Sequence, residues 1–366
     1  MQILNSGFSS RSGLSIMLSD EALSDKALSD EPVADKIVLA VDTMSGDQGP
    51  SVCVAAARAA VSENPALSAI LVGQKAILEP LLGGSHPRIH IEDAPDVVTM
   101  ADRPAHALRQ KKASSMAVAL GLVRDGEADA CVSAGNTGAL MMMGRSILKT
   151  YPGIERPAIV KLIPSLHSRC YVLDLGANVD TSAEHLFQFA LMGSLMAAAI
   201  DGKAAPRVAL LNVGEEEVKG SEQVRLAAHM LAECDALNYI GYVEGNDLFQ
   251  DVADVIVCDG FVGNIALKTG EGVAQMVMEV IEQSLRQSIW TRLLGVIARP
   301  FLNNLMRQID PRRHNGASFL GLQGVVVKSH GNAGERAFRA ALRQAAAEVR
   351  MRVPQKINAR LDELTF

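Results

Sequence analysis

Residues 129–140, DACVSAGNTGAL, decide the fold of this 366-residue chain. A short apolar run is followed by small residues and then by a segment of helical character, which predicts a buried strand, a tight loop and a helix. A loop of this kind presents backbone N–H groups at a helix N-terminus, where an anion of phosphate size can bind. We therefore take Asn136, Thr137 and Gly138 as candidate phosphate ligands. An ordinary turn, with Asn136 as the helix cap, is the alternative.

Four other stretches repeat the pattern of an apolar run followed by polar and glycine residues, at 42–49, 174–180, 212–220 and 259–264. Between them, short apolar strands alternate with helical segments, which predicts an α/β fold whose mainly parallel sheet has helices on both faces. Such three-layer α/β/α folds bind ligands beyond the carboxyl ends of their strands. We therefore expect the five loops to converge on one ligand.

The composition excludes several classes of protein. A hydrophobic content of 48% is enough for a large core, and the formal net charge of -6 argues against nucleic-acid binding. Five cysteines without a C-x-x-C spacing are typical of reduced thiols in a cytoplasmic protein. No uncharged run reaches the roughly 20 residues of a membrane-spanning helix. The absence of a Walker A loop, a nucleophile elbow and an H-E-x-x-H motif argues against a kinase, a standard hydrolase and a zinc peptidase.

The chain divides into a main domain and two flanking segments. Residues 1–36 contain a five-residue near-repeat that starts with Leu-Ser-Asp and fits neither a helix nor a strand, so we predict a disordered extension. Residues 37–353 form the single predicted catalytic domain, and 354–366 form a C-terminal tail. Within the domain, residues 284–310 have apolar side chains at helical spacing and a proline break, which predicts a protruding amphipathic helical hairpin.

The predicted hairpin has an apolar side and a basic side. Its four arginines oppose a single acid, Asp310, which suits contact with an anionic bilayer or an acidic protein. The alternative is that the hairpin is buried at a dimer interface. Both interpretations hold if the tip of the hairpin is exposed and its stem is buried. The candidate membrane-contact residues are Trp290, Leu293, Leu294, Ile297 and Phe301.

Three further strand ends carry side chains suited to phosphoryl or carbonyl chemistry. Lys219 follows three glutamates, and these fit a solvated helix start better than a metal site. The ammonium of Lys219 can neutralise a phosphate or an oxyanion. Asn264 lies at a predicted helix start, where it can polarise a carbonyl or simply cap the helix. Lys328 and His330 close the last core strand, and a structural role is the alternative for His330.

Eight ordered motifs resemble those of the PlsX-type phosphate acyltransferases. They are DTMSGD (42–47), SSM (114–116), SAGNTGAL (133–140), DLGAN (174–178), NVGEE (212–216), GYVEG (241–245), DGFVGN (259–264) and VKSHG (327–331). The resemblance spans residues 37–349. In the first motif and the residue after it, Thr43, Ser45 and Gln48 replace the Ala, Gly and His that are usual in the family.

The resemblance implies transfer of a long-chain fatty acyl group from acyl carrier protein to inorganic phosphate, which yields acyl phosphate for phospholipid synthesis. It also implies an isocitrate/isopropylmalate dehydrogenase-like fold, a homodimer and no metal or cofactor. The enzyme would be cytoplasmic and peripherally membrane-associated, with a downstream glycerol-3-phosphate acyltransferase as a candidate partner. The alternatives are a phosphate acetyltransferase-like enzyme acting on acyl-CoA, an NAD(P)-dependent dehydrogenase, and a non-catalytic scaffold that binds acyl carrier protein.

The motifs and the resemblance together assign the residue roles. Phosphate is already an anion near neutral pH and needs positioning more than deprotonation, which assigns it to the 136–138 loop with help from Lys328 and His330. Lys219 and Asn264 are expected to stabilise the oxyanion, and His330 is a candidate proton donor to the leaving thiol. The candidate substrate or carrier contacts are Asp42, Arg109, Ser114, Ser115, Asn178 and Lys268.

Overall fold

The computed structural model describes residues 36–165, 169–286 and 315–363. The predicted extension lies outside these ranges apart from Lys36, and the predicted hairpin lies outside them apart from residues 284–286. All five candidate membrane-contact residues are therefore outside the described part of the chain.

Strands and helices alternate along much of the described chain, as the sequence predicts. The strands are β1 (Ile37–Asp42), β2 (Leu67–Gly73), β3 (Ile89–Asp93), β4 (Ala130–Ser133), β5 (Ala158–Pro164), β6 (Arg169–Leu173), β7 (Arg207–Leu211), β8 (Asn238–Val243), β9 (Val255–Val257), β10 (Ala317–Leu320) and β11 (Val325–Lys328). The helices are α1 (Pro50–Glu63), α2 (Lys75–Leu82), α3 (Pro104–Gln110), α4 (Ser115–Arg124), α5 (Thr137–Ile147), α6 (Ala183–Asp201), α7 (Glu222–Ala232), α8 (Gly260–Arg286), α9 (Glu335–Arg350) and α10 (Val353–Glu363).

One sheet contains all the described strands, in the order β3-β2-β1-β4-β11-β10-β5-β6-β9-β7-β8. Seven of the ten described strand pairings are parallel, which confirms the mainly parallel sheet. The three antiparallel pairings lie in the middle, where β10 is inserted between β11 and β5, and β5 meets β6. Strands β6, β7, β8 and β9 therefore run opposite to β1, β4 and β11.

This reversal corrects the expectation that all five loops leave the sheet at one edge, meaning at the same end of its strands. The loops after β1, β4 and β11 lie at one edge, and the loops after β6, β7 and β9 lie at the other. The physical reason is that a buried apolar strand has the same sequence pattern whichever way its neighbour runs. The pattern therefore does not reveal an antiparallel pairing in the middle of a sheet.

Helices cover both faces of the sheet and form the predicted three layers. Along β1, Leu39 and Val41 pack with α1 and α9, whereas Ala40 points to the opposite face and packs with α4 and α5. In the other half of the sheet, α6, α7 and α10 cover one face, and Tyr171 and Phe189 are buried there between strand and helix. The alternation follows from the period of two with which side chains leave a strand.

Helices α6 and α10 pack against each other in the core of this half of the sheet. Of the described helices, only α6 is long and apolar enough to cross a membrane by composition, and Phe189 and Leu191 bury it in the core. Most of the predicted C-terminal tail is helix α10. Val353, Ile357 and Leu361 recur every fourth residue and are buried on α6, because this spacing places them on one helical face.

Candidate active site

The buried carboxylate of Asp42 organises one edge of the site. It accepts hydrogen bonds from the hydroxyls of Ser45 at 3.0 Å, Ser115 at 2.6 Å and Ser133 at 2.6 Å. The Ser133 hydroxyl in turn accepts from the backbone N–H of Gly135 at 3.0 Å. One carboxylate thus connects β1, β4 and α4 and holds the β4 loop (residues 134–138). Asp42 and Ser115, predicted as candidate contacts, are fully buried and support this loop from behind.

The side chain of Asn136 is committed to the protein itself. Its Oδ1 accepts from the backbone N–H of Ala139 at 3.0 Å and so caps α5. Its Nδ2 donates to the carbonyl oxygens of Met100 at 2.9 Å and Asp102 at 3.3 Å. The capping alternative is therefore present in the structure, and Asn136 shapes the β4 loop.

Two backbone donors remain at the start of α5. Thr137 and Gly138 occupy the first helical positions, where an N–H group has no acceptor within its own helix and can serve an anion. Gly138 is also needed for packing, since a Cβ there would lie 2.8 Å from Cγ of Pro104. The absence of a side chain lets α3 and α5 approach closely at this end of the sheet.

Ser114 and Arg109 lie in the segment where α3 leads to α4. The Ser114 hydroxyl accepts from the N–H of Ala117 at 3.3 Å, which caps α4, and donates to the carbonyl of Lys111 at 2.6 Å. Ser114 is fully buried, whereas Arg109 is exposed in the last turn of α3 and forms no ion pair with another described residue. Of these two candidate contacts, only Arg109 is available at the surface.

Lys328 brings the loop after β11 against the β4 loop. Its Nζ donates to the carbonyl oxygens of Ala134, at 3.4 Å, and Ser329. Burial lowers the pKa of Lys328 to about 8. The charge of Lys268 also lowers this pKa, whereas the charges of Asp47 and Asp42 raise it. Lys328 forms no ion pair with a carboxylate in the described ranges, so its charge is available to an anion.

Beside Lys328 lies a cation cluster, formed by Lys161, Lys268 and His330 around Glu271, of which Lys161 and Glu271 were not predicted from the sequence. Lys161, in the middle of β5, is only 5% exposed and pairs with Glu271 at 2.7 Å. The same carboxylate lies 3.3 Å from Nε2 of His330 and 3.8 Å from Nζ of Lys268. Three basic side chains therefore share one acid, and such an excess of basic groups suits an anionic substrate.

Opposing effects set the charge of Glu271. Burial raises its pKa, but the hydrogen bond from His330 and the charge of Lys161 outweigh burial and leave the pKa at about 2. Glu271 is therefore a carboxylate at physiological pH. The only local signal for Lys161 was its position inside the apolar strand AIVKLIP. Among the described residues, no three His, Cys, Asp or Glu side chains come together as a metal site.

Helix α8 links the two edges of the sheet. Asn264, Lys268 and Glu271 are spaced four and three residues apart, so they share one face of this helix. Asn264 is exposed and lies against Gly176, where a Cβ would be 3.5 Å from Cβ of Asn264. Seven residues of helix correspond to about 11 Å of axial rise. This face of α8 therefore connects the Asn264 amide with the cation cluster near β11.

Asn178 is held inside the loop that follows β6. Its Nδ2 donates to the Asp174 carboxylate at 2.9 Å and to the carbonyl of Pro157 at 2.9 Å, and its backbone N–H donates to Asp174 at 2.6 Å. With 5% of its surface exposed, Asn178 shapes this loop from within. It is therefore placed as a support of the loop.

Lys219 lies apart from the cation cluster. It is exposed in the loop after β7 and pairs with Glu216 at 2.7 Å, and this hydrogen bond raises the pKa of Lys219. Strands β7 and β9 are parallel neighbours, so this loop and the start of α8 leave the sheet side by side. The structure places Lys219 in a loop beside the first turns of α8, which contain Asn264, and no hydrogen bond between described residues joins their side chains.

Comparison with solved structures identifies the fold. The EutD phosphotransacetylase from Staphylococcus aureus has a TM-score of 0.55 at 16% identity, with coverage of 87% of this chain and 95% of that chain. A 4-hydroxythreonine-4-phosphate dehydrogenase from Klebsiella pneumoniae has a TM-score of 0.51 at 14% identity, with coverage of 86% and 99%. These likenesses confirm the predicted fold class, which phosphotransacetylases and dehydrogenases share.

Comparison of sequences identifies the family. A phosphate acyltransferase from Marinobacter nauticus is 67% identical to this chain, over 90% of this chain and 96% of its own length. A phosphate acyltransferase from Pseudomonas aeruginosa is 54% identical, over 89% of this chain and 98% of its own length. A family model described as "Fatty acid synthesis protein" matches residues 37–356. The chain therefore belongs to the fatty acid synthesis protein family, among its phosphate acyltransferases.

Proposed function

We propose that the protein transfers a long-chain fatty acyl group from the thioester of acyl carrier protein to inorganic phosphate and releases acyl phosphate. The observation that carries this proposal is the cation cluster around Glu271. Lys161, Lys268 and His330 meet at this carboxylate, next to Lys328 and the β4 loop. Such a site attracts a phosphate dianion, and family membership supplies the acyl chemistry.

The nucleophilic phosphate binds between the β4 loop and the loop after β11. The backbone N–H groups of Thr137 and Gly138 approach it from one side, and Lys328 and His330 from the other. Because Lys328 is largely desolvated, its charge acts more strongly on the phosphate than a charge in water would. Asn136 and Asp42 contribute by holding the β4 loop in shape.

The thioester carbonyl lies along α8, between the phosphate at the cation cluster and the Asn264 amide, with Lys219 in the loop beside the start of α8. A phosphate oxygen attacks the carbonyl carbon, and the negative charge that develops on the carbonyl oxygen is stabilised by the Asn264 amide and the Lys219 ammonium. The C–S bond then breaks and the sulfur leaves with the electron pair. His330 is the proposed proton donor to this thiolate, whose ordinary pKa of about 8.5 makes the help modest.

The test is incubation of the purified protein with acyl-acyl carrier protein and radiolabelled phosphate. Labelled acyl phosphate is the expected product. Activity with acyl-CoA alone would favour the phosphate acetyltransferase-like alternative, and an absorbance change with NAD or NADP would favour a dehydrogenase. Binding of acyl carrier protein without any labelled product would favour a scaffold.

The proposed carrier contact is the basic end of α3. Arg109 is exposed there without a partner in the described ranges, and Lys112 is exposed close by. An acidic helix of a carrier protein would complement these charges and be steered toward the site. Reversing the charge with Arg109→Glu should raise the KM for acyl-acyl carrier protein and leave the KM for phosphate unchanged.

The proposed homodimer uses the exposed apolar side of α8. Val273, Met276 and Val280 are each at least half exposed and are spaced three and four residues apart, so they form one stripe. Such a stripe on a long helix is typical of a surface that a partner covers. Met276→Glu should convert the dimer to a monomer in analytical ultracentrifugation, whereas an unchanged mass would exclude this face.

The proposed peripheral membrane contact is the segment that contains Trp290, Leu293, Leu294, Ile297 and Phe301. The proposal rests on the sequence pattern, because these residues lie outside the described ranges. Leu294→Glu should abolish co-sedimentation with anionic liposomes while the dimer persists. A disrupted dimer would instead support burial at the subunit interface. A membrane location would deliver acyl phosphate to a downstream glycerol-3-phosphate acyltransferase.

A further inference from the structure

A second basic site lies away from the cation cluster, at the edge of the sheet where β6 ends. A cavity of about 280 Å³ opens there between α5, the segment before β5 and the loop after β6. Arg145 and Arg156 line it together with the neutral Ala177 and Asn178, and Asp180 is the acid among its lining residues. The cavity is thus built around two guanidinium groups.

Neither guanidinium is neutralised by the described part of the protein. Arg156 donates from Nη1 to the backbone carbonyl of Asp180 at 3.3 Å, which orients it without supplying a counter-charge. Arg145 is exposed in the last turn of α5. No carboxylate among the described residues forms an ion pair with either arginine, although Asp180 lines the same cavity. Guanidinium groups bind phosphate through paired N–H donors, so two arginines in one cavity suit a phosphate ester.

The location separates this cavity from the nucleophilic phosphate. Helix α5 begins at the β4 loop with Thr137, and Arg145 follows eight residues later, which corresponds to about 12 Å along the helix axis. The cavity is instead close to the acyl-transfer end of the site. Its wall at 177–180 directly follows Gly176, which lies against Asn264.

We propose that this cavity binds the phosphate ester of the pantetheine arm that carries the acyl thioester, with Arg145 and Arg156 as its ligands. The proposal rests on the proposed function, because acyl carrier protein holds its acyl group on such an arm. Anchoring the arm at its phosphate leaves the thioester end free to reach Asn264. The enzyme then holds the two phosphates of its substrates at opposite ends of α5.

The experiment compares two soluble donors that differ by one group, an S-acyl 4′-phosphopantetheine and the matching S-acyl pantetheine. We measure kcat/KM for acyl phosphate formation in wild type, Arg145→Ala, Arg156→Ala and Arg156→Lys. The wild type should prefer the phosphorylated donor. Each alanine variant should lose about tenfold or more with that donor only, the usual effect of removing one charged hydrogen bond. Arg156→Lys should keep part of the preference.

The donor without phosphate is an internal control for folding. The matched surface control is Arg124→Ala, since Arg124 is exposed and paired with Asp125, and this variant should keep the full preference. Equal losses with both donors, or an unchanged ratio in the alanine variants, would overturn the assignment of the cavity. Wild-type protein that forms no acyl phosphate from acyl-acyl carrier protein would overturn the proposed function itself and this proposal with it.

Discussion

The largely desolvated Lys328 predicts how phosphate binding depends on pH. Burial holds the pKa of this lysine at about 8, where an exposed lysine would stay charged beyond pH 10. The ammonium is therefore present below pH 8 and is lost as the pH rises through 8. Because we place this charge on the nucleophilic phosphate, KM for phosphate should rise on the alkaline side.

The size of the effect follows from the fraction of charged Lys328. With a pKa of about 8 the charged fraction falls about tenfold between pH 7 and pH 9, so KM for phosphate should rise about tenfold over this range. Phosphate itself is a dianion over most of this interval, so its own titration opposes the change only slightly. A guanidinium keeps its charge above pH 12. In Lys328→Arg, KM for phosphate should therefore stay constant over this pH range.

The assay is initial-rate measurement of acyl phosphate formation at saturating donor, with phosphate varied at each pH from 6.5 to 9.5. The matched control is Lys75→Arg, because Lys75 is exposed and paired with Glu79 on the surface, and it should reproduce the wild-type rise. A flat wild-type profile would refute the role of Lys328. So would the same alkaline rise in Lys328→Arg, since another group would then be titrating.

Three more predictions concern two buried carboxyl groups and two proposed catalytic side chains. Asp42→Ala leaves three buried hydroxyls without their acceptor. It should lower the free energy of unfolding in urea by ~3 kcal/mol, whereas Ser115→Ala should lower it by ~1 kcal/mol. Equal losses in the two variants would contradict a shared acceptor. Burial raises the pKa of Glu348 to about 7, so the stability that its protonated form contributes is complete below about pH 4.5 and is lost as the pH rises through 7. Glu348→Gln, which keeps the hydrogen bonds of the neutral acid, should match wild type at pH 4.5 and exceed it by ~3 kcal/mol at pH 8, and parallel stability curves would show that the carboxyl does not titrate there. Lys219→Ala and Asn264→Ala should each lower kcat by about 100-fold or more with an unchanged circular dichroism spectrum, and near-wild-type activity in either would remove that residue from the mechanism.

Local patterns were enough to predict the strand and helix types and the three layers. The buried run before the β4 loop, the small residues within it and the helix after it all appear where the sequence places them. The periodic signal of α10 was equally local, since Val353, Ile357 and Leu361 recur every fourth residue. Such features depend on sterics and burial within a few residues, so the chain carries them locally.

The sequence did not reveal which residues far apart in the chain pair through their side chains. Asn136 offered an amide to a ligand, yet its Nδ2 is bound to Met100, 36 residues earlier in the chain. Lys161 looked like a single charge in an apolar strand, and its partner Glu271 is 110 residues away. A local pattern shows that a group needs a partner when it is buried, but only the packing of distant elements decides which partner it finds.

The sequence by itself determined that this chain forms an α/β sheet with anion-binding loops, and its ordered motifs predicted the family. Only the tertiary structure decided that the sheet reverses between β5 and β6, that the loops therefore occupy two edges, and that α8 joins those edges through Asn264, Lys268 and Glu271. The physical reason is that hydrophobic periodicity encodes which face of an element is buried, whereas strand direction and ion pairing are set by contacts between elements far apart in the chain.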